Sequence, residues 1–164
     1  MSLQIAPITP AELPDLLRLV RGLAEYEHLE HLMVAKEDDY RDALFGAHPS
    51  IEALIARREG RTVGFALFFH NFSTFLGKRG IFLEDIFVEP DSRGLGIGEA
   101  LIRRLGKIAV ERDCGRFEWT VLDWNEPAIR FYEKMGATIL KEWRVVRTTG
   151  EPLLRLAGLE QPGN

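Results

Sequence analysis

The sequence has one cysteine, Cys114, among 164 residues. A single thiol can form neither an intramolecular disulfide nor a thiolate-rich zinc site, so Cys114 is expected to be a buried, inert side chain in a reducing compartment. No apolar run approaches the ~20 residues that cross a bilayer. The opening Met1-Ser2-Leu3-Gln4-Ile5 has no basic cluster followed by an apolar core, and so does not read as a signal peptide. The expectation is a soluble cytoplasmic protein with no membrane partner. A basic excess is also missing: the net charge of -4 argues against nucleic acid as a partner and suits an amine or cationic substrate better. His28, His31, His48 and His70 offer no convincing metal set, because His28 and His31 have no third ligand, and no metal is expected. No repeat, low-complexity tract or linker interrupts the chain, so residues 1–164 are expected to form a single domain.

What is present is globular: 46% hydrophobic and 28% charged residues, in a chain long enough to bury its own core. Gln4 to Pro7 suits a short strand. Thr9-Pro10-Ala11-Glu12 has the form of a capping box, and Leu13, Leu16, Leu17, Val20, Leu23 and Ala24 recur at helical spacing towards Tyr26-Glu27. Pro14 is an irregularity that could delay the helix start. A second helix is expected around Lys36 to Leu44. Ile51 to Arg58 and Thr62 to Phe69 flank the turn Glu59-Gly60-Arg61 as a hairpin, and Gly80 to Val88 reads as a central strand ending at Glu89-Pro90. Glu99 to Arg112 forms an amphipathic helix, Phe117 to Leu122 a strand, and Pro127 to Met135 a helix capped by Asn125 and closed by Gly136. Two further strands are expected near Ile139 to Arg147 and Pro152 to Leu156. The resulting order β-α-α-β-β-β-α-β-α-β-β describes a mixed α/β domain.

The most informative segment is Arg93-Gly94-Leu95-Gly96-Ile97-Gly98, placed between a strand and a helix. Such a loop aims backbone N–H groups and a helix dipole at one point, where a phosphate can bind. Glycines allow close approach and positive φ, and the Arg93 guanidinium can add a charge-assisted contact. A Walker loop would end in Gly-Lys-Ser/Thr, whereas this one ends Gly98-Glu99-Ala100; a Rossmann fingerprint needs a glycine where Glu99 stands.

Arg93-x-x-Gly96-x-Gly98 after a strand, then Trp124-Asn125-Glu126-Pro127-Ala128-Ile129-Arg130-Phe131-Tyr132 and Gly136-Ala137, resembles the GCN5-related N-acetyltransferases. The likeness runs from Leu23-Ala24-Glu25-Tyr26-Glu27 through Leu83-Glu84-Asp85-Ile86-Phe87-Val88 to Glu142-Trp143-Arg144, and is greatest for the diamine (spermidine/spermine) acetyltransferase branch. The resemblance implies a mixed, mostly antiparallel sheet flanked by helices, with a splayed strand pair holding acetyl-CoA. It implies that Ile86, Phe87 and Val88 pair with the pantetheine arm. Arg93, Gly94, Leu95, Gly96, Ile97, Gly98 and Glu99 would hold the pyrophosphate, and Asn125, Glu126, Pro127, Ala128 and Tyr132 would complete the cofactor cleft. A pantetheine amide can extend a strand edge as a peptide does. For Arg103, Arg104 and Lys107, a terminal-phosphate contact and a solvated helix face both stay open.

Acetyl transfer to an amine needs a neutral nucleophile, an oxyanion donor and protonation of the departing thiolate. The resemblance assigns the thiolate to Tyr132 and the oxyanion to backbone N–H near Phe87 or Val88. Glu84 is the candidate on the amine side, because a carboxylate in an otherwise apolar strand is costly unless compensated. Either a cationic substrate meets it and gives up a proton, or an arginine pairs with it. Strand alternation turns Asp85 to the other face, as a support.

Tyr26, Glu27 and Trp143 match acceptor-contacting positions of the branch, and Glu118, Trp119 and Thr120 occupy a strand that also meets the acceptor. Aromatic walls with carboxylates suit an alkyl ammonium. Ser73 stands where the polyamine enzymes carry an acid. Ser73-Thr74-Phe75-Leu76-Gly77 with Val121-Leu122-Asp123-Trp124-Asn125 is similar to the sister group acting on thialysine. A lysine-like amino acid is therefore preferred over a diamine. The branch also implies a homodimer. A protein-modifying acetyltransferase and a non-catalytic acyl-CoA sensor are the alternatives.

Overall fold

In the computed structural model of the chain, residues 2–159 are described. Contacts gather into two compact units, Met1–Thr120 and Val121–Asn164.

In the first unit, the Thr9 N–H donates to Glu12 Oε1 at 3.0 Å, the reach-back half of a capping box, around a short 3₁₀ turn at Pro10–Glu12. Helix α1, Leu13–Tyr26, follows directly. Pro14 does not delay it, because a first-turn N–H has no acceptor inside the helix. Helix α2 spans Glu37–Phe45 and helix α3 Ile97–Glu111. Five strands, β1 (Leu3–Pro7), β2 (Glu52–Arg58), β3 (Arg61–Ser73), β4 (Lys78–Val88) and β5 (Arg116–Trp119), lie in the order β1-β2-β3-β4-β5. All pairs are antiparallel except β4 with β5. The two-residue turn Glu59-Gly60 has φ of 52° and 78°, the doubly positive geometry that matches hairpin twist. β3 runs four residues beyond the expected Phe69, because its far half pairs with Lys78 to Phe82.

Helices cover both faces of the sheet. Leu13, Leu16 and Leu19 of α1 and Leu44 of α2 pack with Ile55, Phe65, Leu67 and Phe87. Leu101, Leu105 and Ile108 of α3 pack on the other side with Leu54, Ala66, Phe68, Ile81 and Leu83. Along β4 the side chains change parity: Ile81 and Leu83 face α3, yet Phe87 faces α1. The cause lies in the register, where Leu67 pairs with Asp85 and Phe68 with Leu83, so that Glu84 is an inserted, bulged residue.

In the second unit, α4 (Glu126–Lys134) starts at Asn125, whose side chain accepts the Ala128 N–H at 3.4 Å, and ends at Gly136 with φ 96°. The two expected strands beyond it do not form. Residues 139–149 carry neither helix nor strand, and Gly150–Leu156 is a helix, α5. β-propensity reflects packing on a pleated neighbour, and Val145 and Val146 pair with no strand among the described residues and remain exposed. At α5, Thr149 is extended and Pro152 sits in the first turn, where its missing N–H costs nothing. No helix among the described residues is long and apolar enough to cross a membrane.

Two positions on α3 separate packing from propensity. Leu101 is 0% exposed and Val110 80% exposed. Leu101→Ala is expected to cost ~2–5 kcal/mol in chemical denaturation, against a change within about 0.5 kcal/mol for Val110→Ala.

Candidate active site

β4 is bonded on both edges only as far as Leu83. Its parallel ladder with β5 ends at Leu83↔Trp119, whereas its pairing with β3 continues through Val88. Ile86, Phe87 and Val88 therefore keep one strand edge without a β5 partner. Their side chains are fixed: Phe87 is buried towards α1, and Ile86 and Val88 pack on the α3 cluster. A rigid strand with one open edge can pair with an extended, amide-bearing ligand.

The chain leaves β4 at Glu89, a buried carboxylate that receives Arg18 and, at 3.0 Å, Arg61. A 3₁₀ turn at Pro90–Ser92 leads to the glycine loop. Gly94 and Gly96 both have φ of 77°, and a Cβ on either would meet nothing within 4 Å. Backbone conformation, not crowding, thus calls for glycine there, and the space above the loop is open. Gly96 is the N-cap of α3, so the N–H groups of Ile97, Gly98 and Glu99 find no acceptor within the helix and add to its positive pole. Arg93 ties the loop to its surroundings. Its Nε donates to Val88 O at 2.9 Å, and its guanidinium carbon lies 5.0 Å from the Tyr26 ring centre and 5.3 Å from that of Phe87. A groove of about 490 Å³ runs here, with Tyr26, Phe87, Glu89 and Arg93 among its walls. On α3, Arg103 pairs with Glu99 at 2.7 Å and Lys107 with Glu111 at 3.8 Å, both cations being exposed.

The carboxylates at this end of β4 differ from the sequence expectation. Glu84 is exposed at the bulge, so the cost of burial falls elsewhere. It falls on Asp85. The bulge turns this residue to the side of Phe87, where burial first, and then the charges of Glu84 and Glu27, raise its carboxyl from 3.8 to about 7. Burial also raises Glu27, at the end of α1. Tyr40 of α2 is raised by burial and by the charges of Asp85 and Asp39. Among the described residues, no cation pairs with Glu27, Glu84 or Asp85. Strand alternation hid Asp85; an Asp following a Glu in a strand was the available signal, and only the register gave it meaning.

Glu118 is engaged by Arg116 at 2.7 Å and accepts from Asn71 Nδ2 at 3.2 Å, and Trp119 packs on Phe117 with ring centres 4.8 Å apart. Thr120 is exposed. In the second unit, Tyr132 is buried beside Phe131, Asn125 is buried as the α4 cap, and Trp143 is exposed. Cys114 is half-buried, 4.0 Å from His70 Nδ1. A larger cavity, of about 600 Å³, lies at the start of β2, among Leu44, Phe45, Phe68, His70 and Arg112. Its charged groups serve one another: Arg112 holds Glu52 through two contacts of 2.7 and 2.8 Å and reaches His70 Nε2 at 2.8 Å. No three His, Cys, Asp or Glu side chains among the described residues are grouped to hold a metal ion.

A raised carboxyl has a signed consequence for stability. Between 3.8 and about 7 the folded chain holds a proton on Asp85 that the unfolded chain has lost, so stability falls as pH rises through this window. Asp85→Asn is expected to raise the thermal midpoint at pH 8 and to change it much less at pH 5, as read by calorimetry.

The family model described as "Acetyltransferase (GNAT) family" matches residues 14–137. A thialysine N-epsilon-acetyltransferase of Mus musculus is 34% identical over 168 residues, covering 96% of this chain and 98% of that protein. An L-ornithine N5-acetyltransferase of Arabidopsis thaliana is 33% identical over 190 residues, 88% of this chain and 83% of that protein. Among solved structures, an integron cassette protein of V. cholerae superimposes with a TM-score of 0.81 at 28% identity, covering 96% of this chain and 98% of that one. A ribosomal-protein-alanine N-acetyltransferase from Brucella melitensis gives 0.72 at 26% identity, over 90% and 100% of the two chains. A mostly antiparallel sheet whose fourth strand opens beside a glycine loop, in a chain matched by that model over most of its length, places the protein in the Acetyltransferase (GNAT) family, as an acyltransferase.

Proposed function

We propose that the protein transfers the acetyl group of acetyl-CoA to the terminal primary amine of a small molecule: a lysine-like amino acid such as thialysine or ornithine first, a diamine or polyamine second. The observation that carries this reading is the carboxylate trio Glu27, Glu84 and Asp85 beside Tyr26, with no cation of the chain paired to it among the described residues. A cationic acceptor supplies the missing charge, and the Tyr26 ring supplies an apolar wall for its alkyl chain. The names of the mouse and Arabidopsis relatives both specify a side-chain amine of an amino acid, which supports the same acceptor class.

The N–H groups from Gly94 to Glu99 would receive the pyrophosphate, and the open edge at Ile86, Phe87 and Val88 the pantetheine amides, with Val88 or Phe87 N–H at the thioester oxygen. Asn125, Glu126, Pro127 and Ala128 are assigned to the cofactor as well. Acetyl-CoA, once bound, supplies an activated acyl group. Glu84 and Glu27 hold the acceptor's ammonium, with Glu118, Trp119, Thr120 and Trp143 as further acceptor contacts. Tyr132 protonates the departing thiolate; its reference pKa, ~10, lies above a thiol's ~8.5, so it acts by hydrogen bonding as the charge develops. The protein is read as a homodimer; exposed Trp143, Val145, Val146 and Leu156 support a second copy as cover.

An amine panel with acetyl-CoA tests the class and the acceptor together. Release of CoA with thialysine, lysine or ornithine at higher kcat/KM than with putrescine or spermidine is expected. Activity on a lysine peptide but on no free amine would make it a protein acetyltransferase, and tight CoA binding with no turnover would make it a sensor. Tyr132→Phe is expected to lower kcat by ~10²-fold or more while leaving the KM for acetyl-CoA nearly unchanged. An unchanged kcat would remove Tyr132 from its role.

A further inference from the structure

We infer that Glu89 is the positioning residue of the glycine loop: its ion pairs with Arg18 and Arg61 hold the loop in the direction that receives the pyrophosphate of CoA. The inference rests on the proposed binding of acetyl-CoA along β4 and the loop, and adds the residue that aims that loop.

The loop does not aim itself. Gly94 and Gly96 have φ of 77° with open space around them, and glycine permits such a conformation while restricting the chain less than any other residue. The backbone hydrogen bonds of the segment lie at its two ends: the Ser92 and Arg93 N–H groups donate to Glu89 O at 2.9 Å and Pro90 O at 3.2 Å, and the Ala100 N–H to Gly96 O at 3.0 Å. Helix α3 anchors the far end through Ile97 and Leu101, both in the core. At the near end the anchor is Glu89. Its N–H donates to Val63 O at 2.9 Å, and its carboxylate, in a residue only 8% exposed, receives Arg18 and Arg61. Arg18 also donates to Thr62 O at 2.9 Å. One acid thereby joins α1, the start of β3 and the end of β4. Hydrogen bonds to an ionised acceptor are the strong ones, and two guanidinium groups from different elements fix the carboxylate in direction as well as in place.

Charge alone would not select an acid here. A carboxylate next to a site for a polyanion repels the ligand, so on electrostatic grounds a neutral side chain at this position would bind CoA better. Its contribution is preorganisation instead. N–H groups that already converge on one point bind a phosphate without the loop losing freedom on binding.

The two effects have opposite signs, and two substitutions separate them. Glu89→Gln keeps the shape and removes the charge; Glu89→Asp keeps the charge and shortens the reach by one methylene. CoA affinity is measured by titration calorimetry for wild type and both variants. Steady-state rates are measured with acetyl-CoA and with S-acetylpantetheine, which has the same thioester and amides but no pyrophosphate. Glu89→Gln should weaken CoA binding ~10-fold or more and raise the KM for acetyl-CoA in parallel, with kcat at saturation within about threefold of wild type. Its kcat/KM with S-acetylpantetheine should stay within about threefold, because that donor has no phosphate to place in the loop. Glu89→Asp should weaken CoA binding in the same direction by a smaller factor, ~2–5-fold. CoA binding to Glu89→Gln that is unchanged or tighter overturns the assignment, as does an equal loss with both donors, which marks general damage to the fold. If Glu89→Gln does not fold, Glu89→Asp decides alone, and an unchanged CoA affinity there overturns the assignment. In all of these cases wild type still binds CoA and the proposed cofactor reading stands; failure of wild type to bind CoA removes both.

Discussion

One inserted residue in β4 sets the geometry on which the candidate site depends. With Glu84 bulged, Ile81 and Leu83 fill the core under α3, and Phe87, at the same parity in sequence, fills the core under α1. A regular strand would have kept all of them on one face and would have carried Asp85 into the α3 cluster, where nothing could compensate its charge. The bulge instead turns Asp85 towards α1 and α2 and puts Glu84 into solvent. Bulges cluster near active sites because they re-aim side chains at little cost to the rest of the ladder. Here the ladder to β3 resumes at once, so the open edge at Ile86 to Val88 stays rigid.

The glycine loop depends on the same strand for its position. β4 delivers the chain to Glu89, which is clamped by Arg18 and Arg61, and the Arg93 guanidinium returns to Val88 O and to the rings of Tyr26 and Phe87. The end of α1, the end of β4 and the start of the loop are thereby held together. Gly94 and Gly96 complete the turn in the left-handed region, and α3 then presents its free N–H groups. Through these partners Arg93 ties the end of α1 to the loop, while backbone N–H groups face the open space.

Much of the fold was legible in sequence. The capping box at Thr9, the periodicities of α1 and α3, the Glu59-Gly60 turn and the Asn125 cap are local signals, and each appears where expected. The misreadings fall where an element needs a distant neighbour. Residues 139–147 have strand composition but no strand beside them among the described residues, and Pro152 to Leu156 joined a helix whose first turn tolerates the proline. The carboxylate argument failed in the same way: it correctly held that an acid in an apolar strand must be compensated, and assigned the burden to Glu84 when burial places it on Asp85.

By itself, the sequence determined the chemistry available. Glycines after a strand fix a backbone that can cradle an anion, because only residues free of a Cβ adopt that φ without strain. The run Glu84-Asp85 guarantees two carboxylates at the end of that strand, and Tyr26-Glu27 an aromatic and a third acid at the end of a helix. Tertiary structure decided which of those carboxylates is exposed and which is half-buried. Register across β3 and β4 made that decision, because a one-residue insertion reverses every later side chain, and no composition or periodicity within β4 records where its partner strand places the extra residue.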